Sequence, residues 1–315
     1  MEFRELGKSG IQVSIVGLGG NNFGWTADLE TTRAIVDAAA DNGINFIDTA
    51  ISYGSSEELL GEVLDGRRDA FVIATKFGSP QDPLPGERKG ARDYIVTAVE
   101  SSLKRLRTDR IDLYQLHYPD AGTPIDETLR ALQDLLAQGK IRAIGCSNVP
   151  AAQLREAQEL AASAGIAPFS TAQDEYSVLV RGLEKELAPV LARYEMSLLP
   201  YFPLANGVLT GKYKLGEPVP ADARLANAPA FFDPYRDPKK WEVAAELEAF
   251  AKARGHTLLE LAFSWLAAQP NVASIIAGVS KPAQVVSNAH AAGWALSAAE
   301  LDEIDRITGV LEAAG

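Results

Sequence analysis

The feature that most constrains this chain is an alternation. Short runs rich in apolar and β-branched residues exchange repeatedly with longer stretches of helical period. The strand-like runs are SIVGLG (14–19), NFID (45–48), AFVIATK (70–76), IDLYQLH (111–117), IRAIGCS (141–147), FSTAQ (169–173), SLLPYFP (197–203) and VASIIAG (272–278). Each is followed by helical sequence, as in DLETTRAIVDAAADNG, where Asp28 marks a start and Gly43 a stop. Eight strand–helix units in a chain of 315 residues predict an α/β fold, one (β/α)8 TIM barrel. FRELG and IQVS, joined by Lys8-Ser9-Gly10, predict a β-hairpin ahead of it. A doubly wound sheet is the alternative, and it needs a strand-order reversal that sequence does not display. No linker divides the chain, so a single domain over 1–315 is expected. The longest irregular stretch, 204–238, carries five prolines and reads as a binding loop or lid.

Composition narrows the function classes. The net charge of −12 opposes binding to a phosphate backbone, which needs clustered Lys and Arg, so no nucleic-acid partner is expected. No apolar run of about 18 residues is present, so no membrane span is expected. The start, MEFRELGKSG, has no apolar signal region, and cytoplasmic localisation is the expectation. A single cysteine, Cys146, excludes an internal disulfide, and with only three histidines no metal site is expected.

In such barrels the site lies at the C-terminal ends of the strands. There the sequence places Asp48, with Tyr53 five positions on, then Lys76, His117, Ser147-Asn148, Gln173, Tyr201 and Gly278-Val279-Ser280. Alone, Asp48 reads more readily as a turn cap, Tyr53 as a packing residue and His117 as a core histidine. Four ionisable groups converging on one rim read as a site. Asp48 and Lys76, on adjacent strands, can pair. A lysine cation close to Tyr53 would lower the phenol from about 10. A neutral His117 could orient a carbonyl oxygen. The set suits a reaction that needs a proton at a developing alkoxide. The attacking hydride must come from a cofactor, and a reduced nicotinamide fits. GLGGNNFG is only a near-match to the dinucleotide fingerprint, because Asn22 stands where its last glycine belongs. A cofactor would need other contacts: Ser147, Asn148 and Gln173 for an amide, Tyr201 to stack on the ring, and helix N-termini for phosphates.

These residues, in their flanks, resemble the aldo-keto reductase family over nearly the whole chain. The matching segments are GINFIDTAISYG, VIATKFG, RIDLYQLHYPD, GKIRAIGCSN, PYFPLANGVLTGKY and IIAGVSKPAQVVSN. The resemblance implies a catalytic tetrad of Asp48, Tyr53, Lys76 and His117. It implies that Gly20 and Asn21 touch the nicotinamide ribose, and that Ser147, Asn148, Gln173 and Tyr201 hold the nicotinamide. By the same likeness Leu204, Gly207, Leu209, Gly211 and Lys212 line the pyrophosphate. Gly278, Ser280, Lys281, Gln284 and Asn288 take the adenosine end, with Lys281 a partner for a 2′-phosphate. It implies NADPH as cofactor, with NADH as the alternative, and reversible reduction of an aldehyde or ketone. The small-molecule substrate is then a carbonyl compound or a sugar. Two departures stand out: Phe202 where many members carry Ser, and Asn21 where members often carry Trp. Trp25, Phe231 and Phe232 could wall the substrate pocket; a long loop packing on its own side chains is the alternative. Two rival functions remain open: a lyase using Lys76 as a Schiff-base nucleophile, and a nicotinamide-sensing binding protein.

Overall fold

The structure is a computed structural model. It describes residues 1–214, 216–220, 224–226 and 230–312, without the side chains of Arg224 and Phe231. The expectation for Phe231 therefore lies outside the described residues.

Two short strands, β1 (Phe3–Glu5) and β2 (Gln12–Ser14), pair antiparallel as the expected hairpin. Eight further strands follow: β3 (Val16–Gly19), β4 (Phe46–Asp48), β5 (Val72–Phe77), β6 (Ile111–Leu116), β7 (Ile141–Ser147), β8 (Thr171–Gln173), β9 (Ser197–Leu198) and β10 (Ile275–Gly278). They form one parallel sheet in the order β10-β3-β4-β5-β6-β7-β8-β9. Its two ends meet. Leu198 bridges Val272 and Tyr201 bridges Ile276, with the Ile276 N–H donating to the Pro200 carbonyl at 2.9 Å. The strands run in sequence order and the sheet closes, which is the (β/α)8 barrel and excludes the doubly wound alternative.

Three boundaries differ from expectation for physical reasons. Ser14 belongs to the hairpin, opposite Phe3, and the first barrel strand begins at Val16. The run 197–203 is regular only at its first two residues. Pro200 lacks an N–H for the ladder, and Phe202 takes a φ of 51°, outside strand geometry. The stretch 204–238 contains three 3-10 turns, Ala205–Thr210, Arg224–Ala226 and Ala230–Tyr235.

The helices are α1 (Leu29–Asp41), α2 (Ser56–Val63), α3 (Arg92–Arg105), α4 (Ile125–Ala137), α5 (Ala151–Ala164), α6 (Leu183–Arg193), α7 (Pro238–Lys252), α8 (Leu258–Ala267), α9 (Pro282–Ala291) and α10 (Ala298–Glu312). Asp28 caps α1 by accepting from the Thr31 N–H at 2.9 Å. The helices bury apolar stripes, as α3 does with Ile95, Val99 and Leu103. Among the described residues no helix is long and apolar enough to cross a membrane. The barrel interior is a separate, smaller core. Leu6, Ile11 and Val13 of the hairpin pack there with Phe46, Ala74, Leu113, Ala143, Leu199 and Ala273. The hairpin closes the N-terminal end of the barrel, so the opposite mouth is the end left for chemistry.

Candidate active site

The last turn of each strand decides what the mouth presents. Asp48 ends β4 and lies in register with Ala74, two residues before Lys76 on β5. Period-two alternation then turns Asp48 and Lys76 to the same interior. The Lys76 ammonium donates to Asp48 Oδ2 at 2.6 Å and to the Thr49 carbonyl at 3.0 Å. The lysine side chain is fully buried and the aspartate 4% exposed. A buried pair survives only if its remaining valences are met. Asp48 Oδ1 accepts from Gln173 Nε2 at 2.8 Å and from Gln115 Nε2 at 3.2 Å. Burial alone would drive Lys76 neutral, but Asp48 and Tyr53 hold its pKa above the usual value.

Tyr53 follows in the turn before α2, half-buried, with the Lys76 ammonium 5.0 Å from its ring centroid. Its pKa is raised. Loss of solvent around the phenol outweighs the pull of Lys76, and the Asp48 charge pushes the same way as burial. This reverses the sequence expectation, which counted the lysine and not the desolvation. The His117 ring stands edge-on to Tyr53, centroids 5.9 Å apart, and stacks on Tyr118 at 4.9 Å. Burial, with Lys76 nearby, lowers its pKa to about 3, so the ring is neutral. Its Nδ1 is sealed without a hydrogen-bond partner. Placing the ring hydrogen on Nε2 spares the chain a buried unsatisfied donor.

A second network adjoins the first. Ser147 Oγ donates to the Gln173 carbonyl at 2.7 Å, and Asn148 Nδ2 donates to Ser147 Oγ at 2.9 Å. Asn148 Nδ2 also reaches the His117 carbonyl at 3.2 Å, while the Tyr201 hydroxyl donates to Asn148 Oδ1 at 2.9 Å. The structure thus brings Asp48, Tyr53, Lys76, His117, Ser147, Asn148, Gln173 and Tyr201 into one rim. Gln173 is spent partly on Asp48, which the sequence did not indicate.

The outlying residues lie in the loop after β3, in the loop after β9 and at the start of α9. Asn21 Oδ1 is buried, without a partner, and a Cβ on Gly278 would stand 2.9 Å from it. A Cβ on Gly20 would meet Ser56 Oγ at 3.0 Å and the Asp48 carbonyl at 3.1 Å. Gly207 and Gly211 take φ values of 99° and 77°, open only to glycine without strain. Leu209 is fully buried, Leu204 partly so, and Lys212 lies over the Tyr213 ring. Lys281 is the N-cap of α9. Gln284 folds back so that its Oε1 accepts from the Ser280 and Lys281 N–H groups at 2.7 and 3.2 Å. Asn288 is buried on the same helix. Trp25 is 78% exposed and lies against Gly54. Phe232 packs on Phe202 and Tyr235, so it serves the aromatic packing of its own loop.

Two residues at this mouth were not singled out from sequence. Gln115 supports Asp48; its position two before His117 on one strand was the available signal. Asp174, next to Gln173, has Oδ2 sealed without a partner, and burial raises its pKa to about 7.

The mouth of a closed parallel barrel thus carries a buried Lys–Asp pair beside a tyrosine and a neutral histidine. The aldo/keto reductase family model matches residues 15–308, and the chain belongs to that family. Aldo-keto reductase YhdN of Bacillus subtilis (strain 168) is 35% identical over 98% of this chain and 93% of its own length. A probable voltage-gated potassium channel subunit beta of Arabidopsis thaliana is 34% identical, covering 98% and 96%. L-glyceraldehyde 3-phosphate reductase of Escherichia coli (strain K12) is 32% identical, covering 97% and 92%. The chain is accordingly an oxidoreductase of the nicotinamide-dependent reductase type.

Proposed function

We propose that this protein reduces an aldehyde or ketone to an alcohol with NADPH, Tyr53 donating the proton. The observation that carries the reading is the buried Lys76–Asp48 pair, 2.6 Å long, standing under the Tyr53 ring beside a neutral His117. The mouth also fits the cofactor. Asn21 Oδ1 is a buried acceptor without a donor, and a ribose hydroxyl would supply one.

NADPH, when bound, supplies the hydride. Ser147, Asn148 and Gln173 would hold its carboxamide and Tyr201 would stack on its ring. Gly207, Gly211 and Lys212 would approach the pyrophosphate. Lys281, at the start of α9, would meet the 2′-phosphate, which favours NADPH over NADH. The raised pKa keeps Tyr53 protonated at neutral pH, so the phenol is charged with its proton when the carbonyl arrives. His117 donates through Nε2 to the carbonyl oxygen and fixes its direction. As negative charge grows on that oxygen, the Tyr53 proton moves to it, and Lys76 stabilises the phenolate left behind. Asp48 acts at one remove by holding Lys76 charged. In the reverse direction the phenolate takes the proton from an alcohol.

The lyase alternative needs a neutral lysine. Lys76 is held charged and buried under Asp48, which opposes it. The sensing alternative draws on relatives named as potassium channel subunits beta. The complete proton-delivery set favours turnover. The test is Tyr53→Phe. Turnover on an aldehyde panel should fall by about two to four orders of magnitude, with NADPH binding retained. Near-wild-type turnover would sink the assignment. NADPH binding by the wild type with no turnover on any aldehyde would favour the sensing role.

A further inference from the structure

Glu57 takes no part in the chemistry described above, yet it joins the two elements that carry the proton donor and its lysine. It is the second residue of α2, four positions after Tyr53, and its side chain is 1% exposed. Tyr53 leads into that helix, since the Ser56 N–H donates to the Tyr53 carbonyl at 3.0 Å. Thr75 precedes Lys76 on β5, and alternation turns it to the helix side while Lys76 faces the interior. The Thr75 hydroxyl donates to Glu57 Oε1 at 2.5 Å. Arg105, at the end of α3, donates from Nε to Glu57 Oε2 at 2.7 Å and from Nη1 to Ser101 Oγ at 2.6 Å. A buried acid is an odd choice for adhesion alone, because apolar side chains of similar volume would join helix and strand at least as strongly. What the carboxylate adds is direction. Charge-assisted bonds fix α2 at one height against β5, where volume-matched apolar packing specifies position less sharply.

We propose that Glu57 is a positioning residue for proton delivery: by tying α2 to Thr75 it sets the Tyr53 phenol against the Lys76 ammonium. The inference rests on the reading of Tyr53 as proton donor. The chain just before Tyr53 is laced to β5, with the Thr49 N–H on the Ala74 carbonyl at 2.8 Å and the Ile51 N–H on the Lys76 carbonyl at 3.1 Å. The Glu57–Thr75 bond is the corresponding tie after Tyr53. The turn that carries the phenol is thus held to one strand from both sides. Lys76 reaches the same turn from the interior, donating to the Thr49 carbonyl at 3.0 Å, with its ammonium 5.0 Å from the Tyr53 ring centroid. Arg105 meets the charge of Glu57 within the seam, so the tie adds no net charge beside the tetrad. Placement at this point governs rate, since a displacement of about 1 Å can cost about a hundredfold.

The experiment follows single-turnover reduction of 4-nitrobenzaldehyde, or of the fastest aldehyde in the panel, and NADPH affinity by fluorescence titration. The variants are Thr75→Val, Thr75→Ser, Glu57→Asp and the double variant Thr75→Val with Glu57→Asp. Thr75→Val keeps the side-chain shape and removes the hydroxyl. Glu57→Asp keeps a charge for Arg105 and withdraws the acceptor by one methylene. Each should slow the chemical step at least about tenfold, with Kd for NADPH kept within about twofold. Thr75→Ser restores the hydroxyl and should restore the rate. The double variant should be no slower than the slower single one, because both remove the same bond. Thr75→Val at the wild-type rate overturns the proposal even where its unfolding midpoint falls, because the bond is then structural only. So does Thr75→Ser as slow as Thr75→Val, a loss of NADPH affinity in step with the rate, or losses that multiply in the double variant. Should Glu57→Asp fail to fold, the two Thr75 variants decide alone. In all these cases the reductase reading stands, because the wild type turns over. No turnover by the wild type across the panel, or near-wild-type turnover in Tyr53→Phe, overturns that reading and this inference with it.

Discussion

At the scale of single residues, Asp48, Lys76 and His117 stand at or beside the ends of three adjacent strands, β4, β5 and β6. Strand ends and alternation were enough to bring Asp48, Lys76 and His117 together, because register in a parallel sheet follows from the strands themselves. The direction of the Tyr53 shift was not legible. It depends on how much water the surrounding loops remove, and no local pattern encodes that. Gln115 went unread for a related reason: it supports Asp48, and support is a property of packing. His117 allows a direct test of environment. Its folded pKa of about 3 lies below the unfolded value of about 6.5. The group therefore contributes stability that is fully present above 6.5 and lost as pH falls from there toward 3. Each pH unit inside that window is worth about 1.4 kcal/mol. Urea unfolding of wild type at pH 5.0 and 7.5 should show a loss about 2 kcal/mol larger than in His117→Phe. Equal losses in the two proteins would mean that His117 is not held neutral.

At the scale of elements, the catalytic turn depends on where α2 is seated. Ser56, the first residue of that helix, donates its hydroxyl to the Gly20 carbonyl at 2.9 Å and shares a hydrogen bond with Thr49. Tyr53 lies three residues earlier, so the helix anchors the loop that carries it. The seat itself is Gly61. A Cβ there would stand 2.2 Å from the Arg105 carbonyl oxygen and 2.8 Å from the Leu106 carbonyl carbon, where α3 ends. The existence of α2 was legible from SEELLGEVL, but its close crossing with α3 was not, since a glycine inside a helical pattern looks only like a weak helix residue. Propensity argues that Gly61→Ala should stabilise α2 by about 1 kcal/mol. The contact argues the reverse, because two backbones must separate, at about 1–3 kcal/mol. The urea midpoint should therefore fall in Gly61→Ala. A rise would show that propensity governs this position and that α2 can shift at little expense.

At the scale of the whole molecule, the barrel divides labour between its two ends. The count of eight units was legible because two periods, 2.0 and 3.6, alternate cleanly along the chain. Closure was not, because β9 is two residues long and the sheet is completed by single bridges at Leu198 and Tyr201. The hairpin's purpose was equally hidden: FRELG and IQVS announce two strands and a turn, and say nothing of what they cover. In the fold, Leu6 is fully buried and Ile11 nearly so, packed on Phe46, Leu113 and Leu199 inside the barrel. Gly7 makes that seating feasible, since a Cβ there would stand 2.4 Å from the Ser170 carbonyl oxygen. The hairpin thus stabilises the interior from the end opposite Asp48 and Lys76. Leu6→Ala should lower unfolding free energy by about 2–5 kcal/mol, the range for emptying a well-packed aliphatic site. The Kd for NADPH, measured at a temperature where the variant is folded, should stay within about twofold, because distant sites with no shared partners act additively. Denaturant unfolding and fluorescence titration on the same preparation decide it. A stability loss accompanied by weakened NADPH binding would show that the interior core transmits strain from the plug to the mouth, and that the two ends are one cooperative unit.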